Sequence, residues 1–401
     1  MELYQSEPLN QQKRILSVDI LRGITILVMV FVNDVAGVKG LPWWTYHIPR
    51  GEQGMTYVDV VYPAFLFIVG MAIPLAIAKR KSMGDSLLKL IYHTFIRSLS
   101  LVAIGLLIMN GRRVDPEATG MAYWMWNVLM FTGVILLWNL YPKSEGRRKI
   151  IYNVLKWTGL VLLIFLLSIY RRNADGEIMW IRPTNWSILG GIGWSYLSVC
   201  LIYFLFRGRF WGLVLSFILL VALNVSVKAG ITDFIRDIPR FIWPVGSGST
   251  ASIVMAGVIL TKLFIKDEVA STVKEKYLWG IGYGILLFLA GWILMPYGLA
   301  KIGSTPSWCL FSAGICVVIF MALYWIVDIN KVSGWASFMK PAGSNPLLTY
   351  ILPDIYYAFH IGHFIAGTKQ GWPGVIWSLC FALFILGVSA LFTRYKVRLQ
   401  L

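Results

Sequence analysis

His47, Asn33 and Asp59 fall in one stretch between two apolar runs. From Asn33 to Pro74 it reads NDVAGVKGLPWWTYHIPRGEQGMTYVDVVYPAFLFIVGMAIP. A neutral imidazole is the side chain best suited to take a proton near neutral pH. A carboxylate on its second nitrogen would fix the tautomer, and Asp59, at the head of the second apolar run, is the candidate ahead of the more solvated Glu52. An amide such as Asn33 can donate to a developing oxyanion. Each residue also has a plainer use: Asn33 and Asp34 as a solvated helix end, His47 as an incidental loop residue, Trp43, Trp44 and Tyr46 as an interfacial belt. Polar groups beside hydrocarbon are costly unless paired, hydrated or functional, so a working site is the first expectation for this hairpin.

Other positions could hold an anion. Lys301 and Ser304 lie in a turn that ends Ser304-Thr305-Pro306-Ser307-Trp308, Asn345 lies in Gly343-Ser344-Asn345-Pro346-Leu347, and Arg240 shares an outer loop with Lys228 and Arg236 before the Gly/Ser-rich run 246–250. Cations and backbone amides of this kind can bind phosphate or carboxylate, although a Gly/Ser run is by itself more often simple loop. Asp19 and Arg22, three apart, share a helix face and serve either as an interface anchor or as a lock to a neighbouring helix. No Walker A, HExxH, GxSxG or strand-to-helix GxGxxG pattern is present. His360 and His363 are two potential ligands without a third, so no metal is expected. Asn185 and Asn224 are glycosylation sequons by pattern only.

The elements that must position these groups are helices in a bilayer. Of the 401 residues, 58% are hydrophobic and 14% charged, and the mean hydropathy is +0.69. That excludes an ordinary soluble domain. A spanning helix takes about 20 mostly apolar residues, and such stretches recur from 18–37 to 372–393, about twelve in all, with the shortest near 210 and 249. The expected fold is an all-α integral membrane protein, a polytopic bundle of about 10 to 12 transmembrane helices. With short loops throughout, 1–401 forms a single multi-span domain.

The net charge of +17 is a topology signal rather than a sign of nucleic acid binding. Basic runs such as Lys79-Arg80-Lys81 and Arg147-Arg148-Lys149 fall on the side of the N-terminus, which places both termini in the cytoplasm. The first apolar run carries Asp19 and Arg22 and lacks a small-residue cleavage site, so no cleaved leader is expected. Cys200, Cys309, Cys316 and Cys380 lie within the apolar stretches as packing residues. Gly280 and Gly284 could pack helices within one chain or between copies, leaving a homo-oligomer open.

The order Ser17-Val18-Asp19-x-x-Arg22-Gly23, then Asn33, then an aromatic loop with His47, then Gly54, Thr56, Asp59, Val61, Pro63, Phe65, Phe67 and Gly70, resembles the heparan-alpha-glucosaminide N-acetyltransferase family. The later Ser304 to Trp308 and Gly343, Asn345, Pro346 elements are also similar, extending the resemblance over most of the chain. The resemblance implies a multi-span enzyme that moves an acetyl group from acetyl-CoA to a sugar amine. His47 then becomes the acetyl-transfer histidine, Asn33 its polar partner and Asp59 the acidic residue heading the second span. Where many members carry Gly-Val-Leu-Gln-Arg, this chain has Asn127-Val128-Leu129-Met130-Phe131. If the missing Arg holds CoA phosphate in the family, another cation must do so here, with Lys301, Ser304, Asn345 and Arg240 as the candidates. The chain looks like a compact prokaryotic relative of the cytoplasmic membrane, without the animal enzyme's lumenal extension and acting on a different glycan.

Two readings follow. One is a membrane acyltransferase whose partners are acetyl-CoA, a sugar or glycan acceptor and the lipid bilayer, working at the outer side with His47 as general base or acetyl carrier. The alternative is a transporter or flippase of a glycan precursor.

Overall fold

The computed structural model describes residues 15–182, 187–265, 272–359 and 369–399. The chain is a polytopic helical membrane bundle. In chain order its helices are α1 (Leu16–Val35), α2 (Val61–Ser82), α3 (Leu87–Gly111), α4 (Pro116–Thr119), α5 (Tyr123–Trp138), α6 (Gly146–Ile169), α7 (Ile188–Leu205), α8 (Phe210–Lys228), α9 (Ser249–Ile265), α10 (Val273–Ile293), α11 (Pro306–Leu323), α12 (Lys340–Ser344), α13 (Pro346–Ala358) and α14 (Gly371–Arg394). Among the described residues nine helices are long and apolar enough to cross a bilayer, and α5 and α9 are shorter apolar helices. The stretch near 210 forms one of the nine. The connection from α6 to α7 also carries a two-stranded hairpin, β1 (Arg172–Ala174) against β2 (Glu177–Met179). Its turn residues Asp175 and Gly176 both adopt positive φ, as a tight primed turn requires.

The helix starts follow local chemistry. Ser86 caps α3 by accepting from the Lys89 N–H, Thr272 and Glu275 form a capping box at α10, and α11 and α13 begin with proline. Short α9 is the innermost helix: every side chain from Ala251 to Phe264 is buried. It lies directly against α2 because two glycines remove the intervening side chains. A Cβ at Gly70 would come 1.9 Å from the Val254 carbonyl oxygen, and one at Gly257 would come 2.1 Å from that of Phe67. Thr261 Oγ1 adds a hydrogen bond to the Met71 carbonyl at 3.0 Å. Gly280 packs on Met321 and Phe264, and Gly284 on Val317, so this small-residue pair joins α10 to its own chain.

Both described ends of the chain meet at one end of the bundle. The Asp328 carboxylate, just past α11, accepts the Leu16 and Ser17 N–H groups at 3.0 Å each, placing an anion on the open start of α1. Arg22 reaches both Asp19 and the Gly343 carbonyl at 3.3 Å, so this pair locks α1 to α12. Asn345 is fully buried there, donating to Thr393 Oγ1 and the Val397 carbonyl and accepting from the Leu399 N–H. At the far end of α1, buried Asp34 accepts from Tyr357, from Lys369 at 3.2 Å and from Ser378 at 2.7 Å, tying α1 to α13 and α14. The loop from α1 to α2 therefore stands at the end opposite the termini, where it is held rigidly at its root.

Candidate functional site

The loop carrying His47 is folded back by its own side chains. Tyr46 Oη donates to the Val38 carbonyl at 2.6 Å and accepts from the Leu41 N–H at 3.2 Å. Thr56 Oγ1 donates to the Tyr46 carbonyl at 2.9 Å, joining the loop's middle to the entry of α2. At that entry Thr56 and Asp59 form a capping box around the single turn Tyr57–Val60. Asp59 Oδ2 takes the Thr56 N–H at 3.1 Å, and the Asp59 carbonyl accepts the indole N–H of fully buried Trp308 at 3.2 Å.

Asp59 is thus buried, with its second oxygen turned to the imidazole. His47 Nδ1 lies 2.8 Å from Asp59 Oδ1, while 41% of the His47 side chain is exposed. An ionised carboxylate only accepts, so Nδ1 carries the proton and the Nε2 lone pair faces outward. A third group arrives from far along the chain. Lys301 Nζ is 3.1 Å from both His47 ring nitrogens and 3.9 Å from Asp59 Oδ1. The two lone-pair directions of an imidazole diverge, so an ammonium at equal distances lies off both axes and acts as a nearby charge rather than a fixed donor. Burial pushes the Lys301 ammonium below the usual lysine range, and the Asp59 charge only partly opposes this.

The turn that presents Lys301 is itself anchored. Gly54 N–H donates to the Leu299 carbonyl at 2.7 Å, and Leu299 N–H donates to Gln53 Oε1 at 2.5 Å, so the two loops are clamped together. Thr305 Oγ1 accepts from Ala300 N–H at 3.0 Å. Asn224, buried in α8, donates to the Ser304 carbonyl at 3.2 Å, so the residue of this sequon is enclosed in the bundle.

Asn33 is exposed and lines a separate cavity of about 490 Å³ between α1, α3, α5 and α13. Helical phase is the reason: Thr25 and Val28 turn toward α2 and α11, while Val30 and Asn33 turn toward α3 and α13. This cavity holds an ion pair, Arg112 to Asp354 at 2.8 Å, beside Tyr123, Asn127, Tyr350 and Tyr357. Asn127, from the divergent Asn-Val-Leu-Met-Phe segment, donates to the Gly111 and Tyr123 carbonyls at 3.0 and 2.9 Å. Ser304 closes the Lys301 turn by donating its N–H to the Lys301 carbonyl at 2.9 Å. Asn345 stands at the terminal end of α1, the length of a span away from His47. Arg240 donates to the Pro244 carbonyl at 3.2 Å in its own loop, and burial lowers its guanidinium below the usual range.

The structure therefore brings together His47, Asp59 and Lys301, and places Asn33, Asn345 and Arg240 elsewhere. Sequence reasoning named Thr56 and Trp308 only as motif residues without a part in the site, and did not find Gln53 or the Arg112–Asp354 pair. Thr56-Tyr57-Val58-Asp59 before an apolar run is a capping-box pattern and would have flagged Thr56; the other contacts join distant segments and carry no local signal. Among the described residues no group of three or more His, Cys, Asp or Glu is placed to hold a metal ion. His360, His363 and Asn185 lie outside the described residues.

A family model described as "Domain of unknown function (DUF5009)" matches residues 14–244. Heparan-alpha-glucosaminide N-acetyltransferase from Homo sapiens is 37% identical over 97 residues, which cover 24% of this chain and 14% of the human protein. The Mus musculus protein of the same name matches with the same identity and coverage. The match thus spans a minor part of both partners.

Proposed function

This chain belongs to the DUF5009 family, and we propose that it is a membrane acyltransferase that moves an acetyl group from acetyl-CoA to an amino-sugar amine or a sugar hydroxyl at the membrane surface opposite its termini. The observation that carries the reading is the buried Asp59 carboxylate holding His47 Nδ1 at 2.8 Å in an imidazole that is 41% exposed and has Lys301 beside it. The partial similarity to two N-acetyltransferases supports the same chemistry.

In this mechanism the acceptor nitrogen or oxygen attacks the thioester carbonyl carbon as His47 Nε2 takes its proton. The new C–N or C–O bond forms, the C–S bond breaks, and the departing thiolate receives the proton from the imidazolium. Asp59 orients the ring and balances its positive form. Lys301, a mobile cation beside the ring, moves aside to meet the thioester oxyanion or a donor phosphate. A route through acetyl-His47 uses the same atoms in two half-reactions. Asn33 remains a proposed polar contact for a ligand portion that enters its cavity. Ser304 and Arg240 remain the further proposed contacts for the donor, whereas Asn345, fully buried at the other end of the bundle with its amide engaged, is not one.

The test is transfer of labelled acetyl from acetyl-CoA to glucosamine by protein in proteoliposomes. His47→Ala is expected to lose activity on the order of 10²- to 10⁴-fold, as loss of a general base does, with unchanged elution from a sizing column. Full activity in that variant overturns the mechanism. A transporter or flippase is the second reading, favoured by the Arg112–Asp354 pair beside an internal cavity. Donor-independent flux of a glycan precursor into vesicles supports that reading, and CoA release that requires acceptor counts against it.

A further inference from the structure

Directly beneath the His47 loop lies a second cavity of about 460 Å³, formed between α1, α2 and α11. Its walls are Thr25 and Val28 of α1, Val60 and Ala64 at the start of α2, and Ile315 and Ile319 of α11. Even the Thr25 hydroxyl is spent on the Leu21 carbonyl, 2.8 Å away, which leaves a hydrocarbon surface. The rim on α11 is open sideways: Val318 and Ile319 are 55% and 40% exposed in the middle of a spanning helix, where the surroundings are lipid. From Val28 to Leu21 the groove follows α1 for roughly 10 Å, at 1.5 Å per residue.

Its head is continuous with the reactive groups. Thr56 lines the groove and also gives its N–H to Asp59 Oδ2, and Asp59 holds His47. Above that point the charge is mainly positive: Lys301 over the imidazole, with Lys39 and Arg50 exposed on the same loop against the single acid Glu52. Tyr57, which lines the groove, and Trp44, 6.2 Å away between ring centres, give the mouth an exposed aromatic flank.

We propose that the groove seats the chain of a lipid-linked acceptor, a sugar carried on a polyisoprenyl phosphate, so that the sugar stands at His47 and the phosphate meets Lys301. This rests on the acyltransferase reading and names its substrate class. A groove that opens into the bilayer is filled by a molecule already in the bilayer, whereas a water-soluble thioester donor arrives from the aqueous side. The apolar groove takes a hydrocarbon chain, and the Lys301 cation at its head favours a phosphate. Holding the lipid this way fixes the height of the sugar against an imidazole that cannot itself move far from Asp59.

The experiment uses the protein in phosphatidylcholine nanodiscs with a diazirine-bearing polyisoprenyl phosphate and no acetyl donor, so labelling is read whether or not transfer occurs. Expected are cross-links on the peptides of α1 and α11 that unlabelled polyisoprenyl phosphate displaces at concentrations at least tenfold below those needed by phosphatidylglycerol or by the unphosphorylated polyisoprenol. Ile315→Trp and Ala64→Phe, which fill the groove from different helices, should each cut labelling at least tenfold in monodisperse protein. Lys301→Met should shrink the preference for the phosphate over the free alcohol. Equal displacement by phosphatidylglycerol, or full labelling in both groove-filling variants, overturns the proposal. In a parallel assay with acetyl-CoA and an amino sugar carried on polyisoprenyl phosphate, absence of acetyl transfer with these labelling results intact overturns the acyltransferase reading instead.

Discussion

Lys301 Nζ stands 3.1 Å from each ring nitrogen of His47, although the two residues sit in loops 254 positions apart. The cation completes a group in which one buried carboxylate faces two basic side chains. Removing its charge while keeping its stem separates electrostatics from packing. Lys301→Met is expected to lower kcat/KM for acetyl transfer roughly 10- to 100-fold, about 1.4 to 2.7 kcal/mol of transition-state stabilisation. Lys301→Arg should recover part of it, because it restores charge but not the compact ammonium. Steady-state kinetics on both variants check this.

Asp59→Asn keeps the shape of the side chain and removes the charge that sets the ring. An amide oxygen still accepts from Nδ1, but the imidazolium loses its counter-charge. Activity should fall on the order of 10²-fold or more, within the range of general-base catalysis. With its oxygen on Nδ1 the amide turns its NH2 toward the Thr56 N–H, so that capping bond is lost at a cost of about 1 to 3 kcal/mol, which should loosen the entry to α2 without unfolding the bundle. A kcat/KM within threefold of the parent would show that Asp59 does not act through His47.

Thr56→Val removes the hydroxyl shared between the Tyr46 carbonyl and Asp59, at 2.9 and 3.3 Å. Each acceptor then loses a donor inside the protein, at a cost of about 1 to 2 kcal/mol in stability. The His47 loop should loosen before the bundle does. Faster amide exchange over residues 41–56, with exchange in α9 unchanged, is the expected pattern.

Because burial pushes the Lys301 ammonium down, its neutral amine is populated at a lower pH than that of an ordinary lysine. An amine-selective acylating reagent should therefore label Lys301 with a pH midpoint below that of the lysine in an unstructured model peptide. The sign follows from the nucleophile being the deprotonated form. Mass spectrometry over a pH series, with such a peptide added to the same sample, measures both midpoints, and a Lys301 midpoint at or above that of the peptide contradicts it.

Gly257→Val and Gly70→Val should destabilise the bundle without touching the site. In each case the added Cβ enters a neighbouring backbone carbonyl, which cannot rotate away. Overpacking of this kind costs about 1 to 3 kcal/mol and more where backbone must shift. A lower midpoint of thermal unfolding in detergent, with residual kcat/KM preserved at low temperature, is the expected outcome.

Much of the architecture was legible because spanning helices are written in long apolar runs. Each stretch from 18–37 to 372–393 coincides with a helix, although the described part of α13 ends at Ala358. The 17-residue α9 was among the two shortest stretches by the same rule, yet it proves the most enclosed helix, since its partners α2 and α11 cover it on sides that hydropathy does not encode. The small hairpin at Arg172–Met179 also escaped, because two three-residue strands leave too little pattern to read.

At the site, residue type and order pointed to His47 with Asp59 ahead of Glu52, and the structure sets His47 against Asp59 at 2.8 Å. That pairing is local, spanning one loop and one capping box, so short-range chemistry reaches it. Asn33 is as close in sequence, yet the turn of α1 carries it to another face and another cavity. Lys301, read as an anion contact, lies beside the imidazole, a placement that its sequence position did not reveal.

By itself, then, the sequence determined the membrane, the order of the apolar helices and the pairing of His47 with Asp59 within the α1–α2 connection, while its count of about twelve spans exceeds the nine described helices long and apolar enough to cross. These depend on composition and on contacts a few residues long. Only the tertiary structure decided that Lys301 joins His47, that Asn33 turns away from it, that Arg112 meets Asp354 and that a lipid-open groove ends at Thr56. Those are relations between helices whose rotation about their own axes is set by packing, and packing is a property of the whole bundle rather than of any one segment.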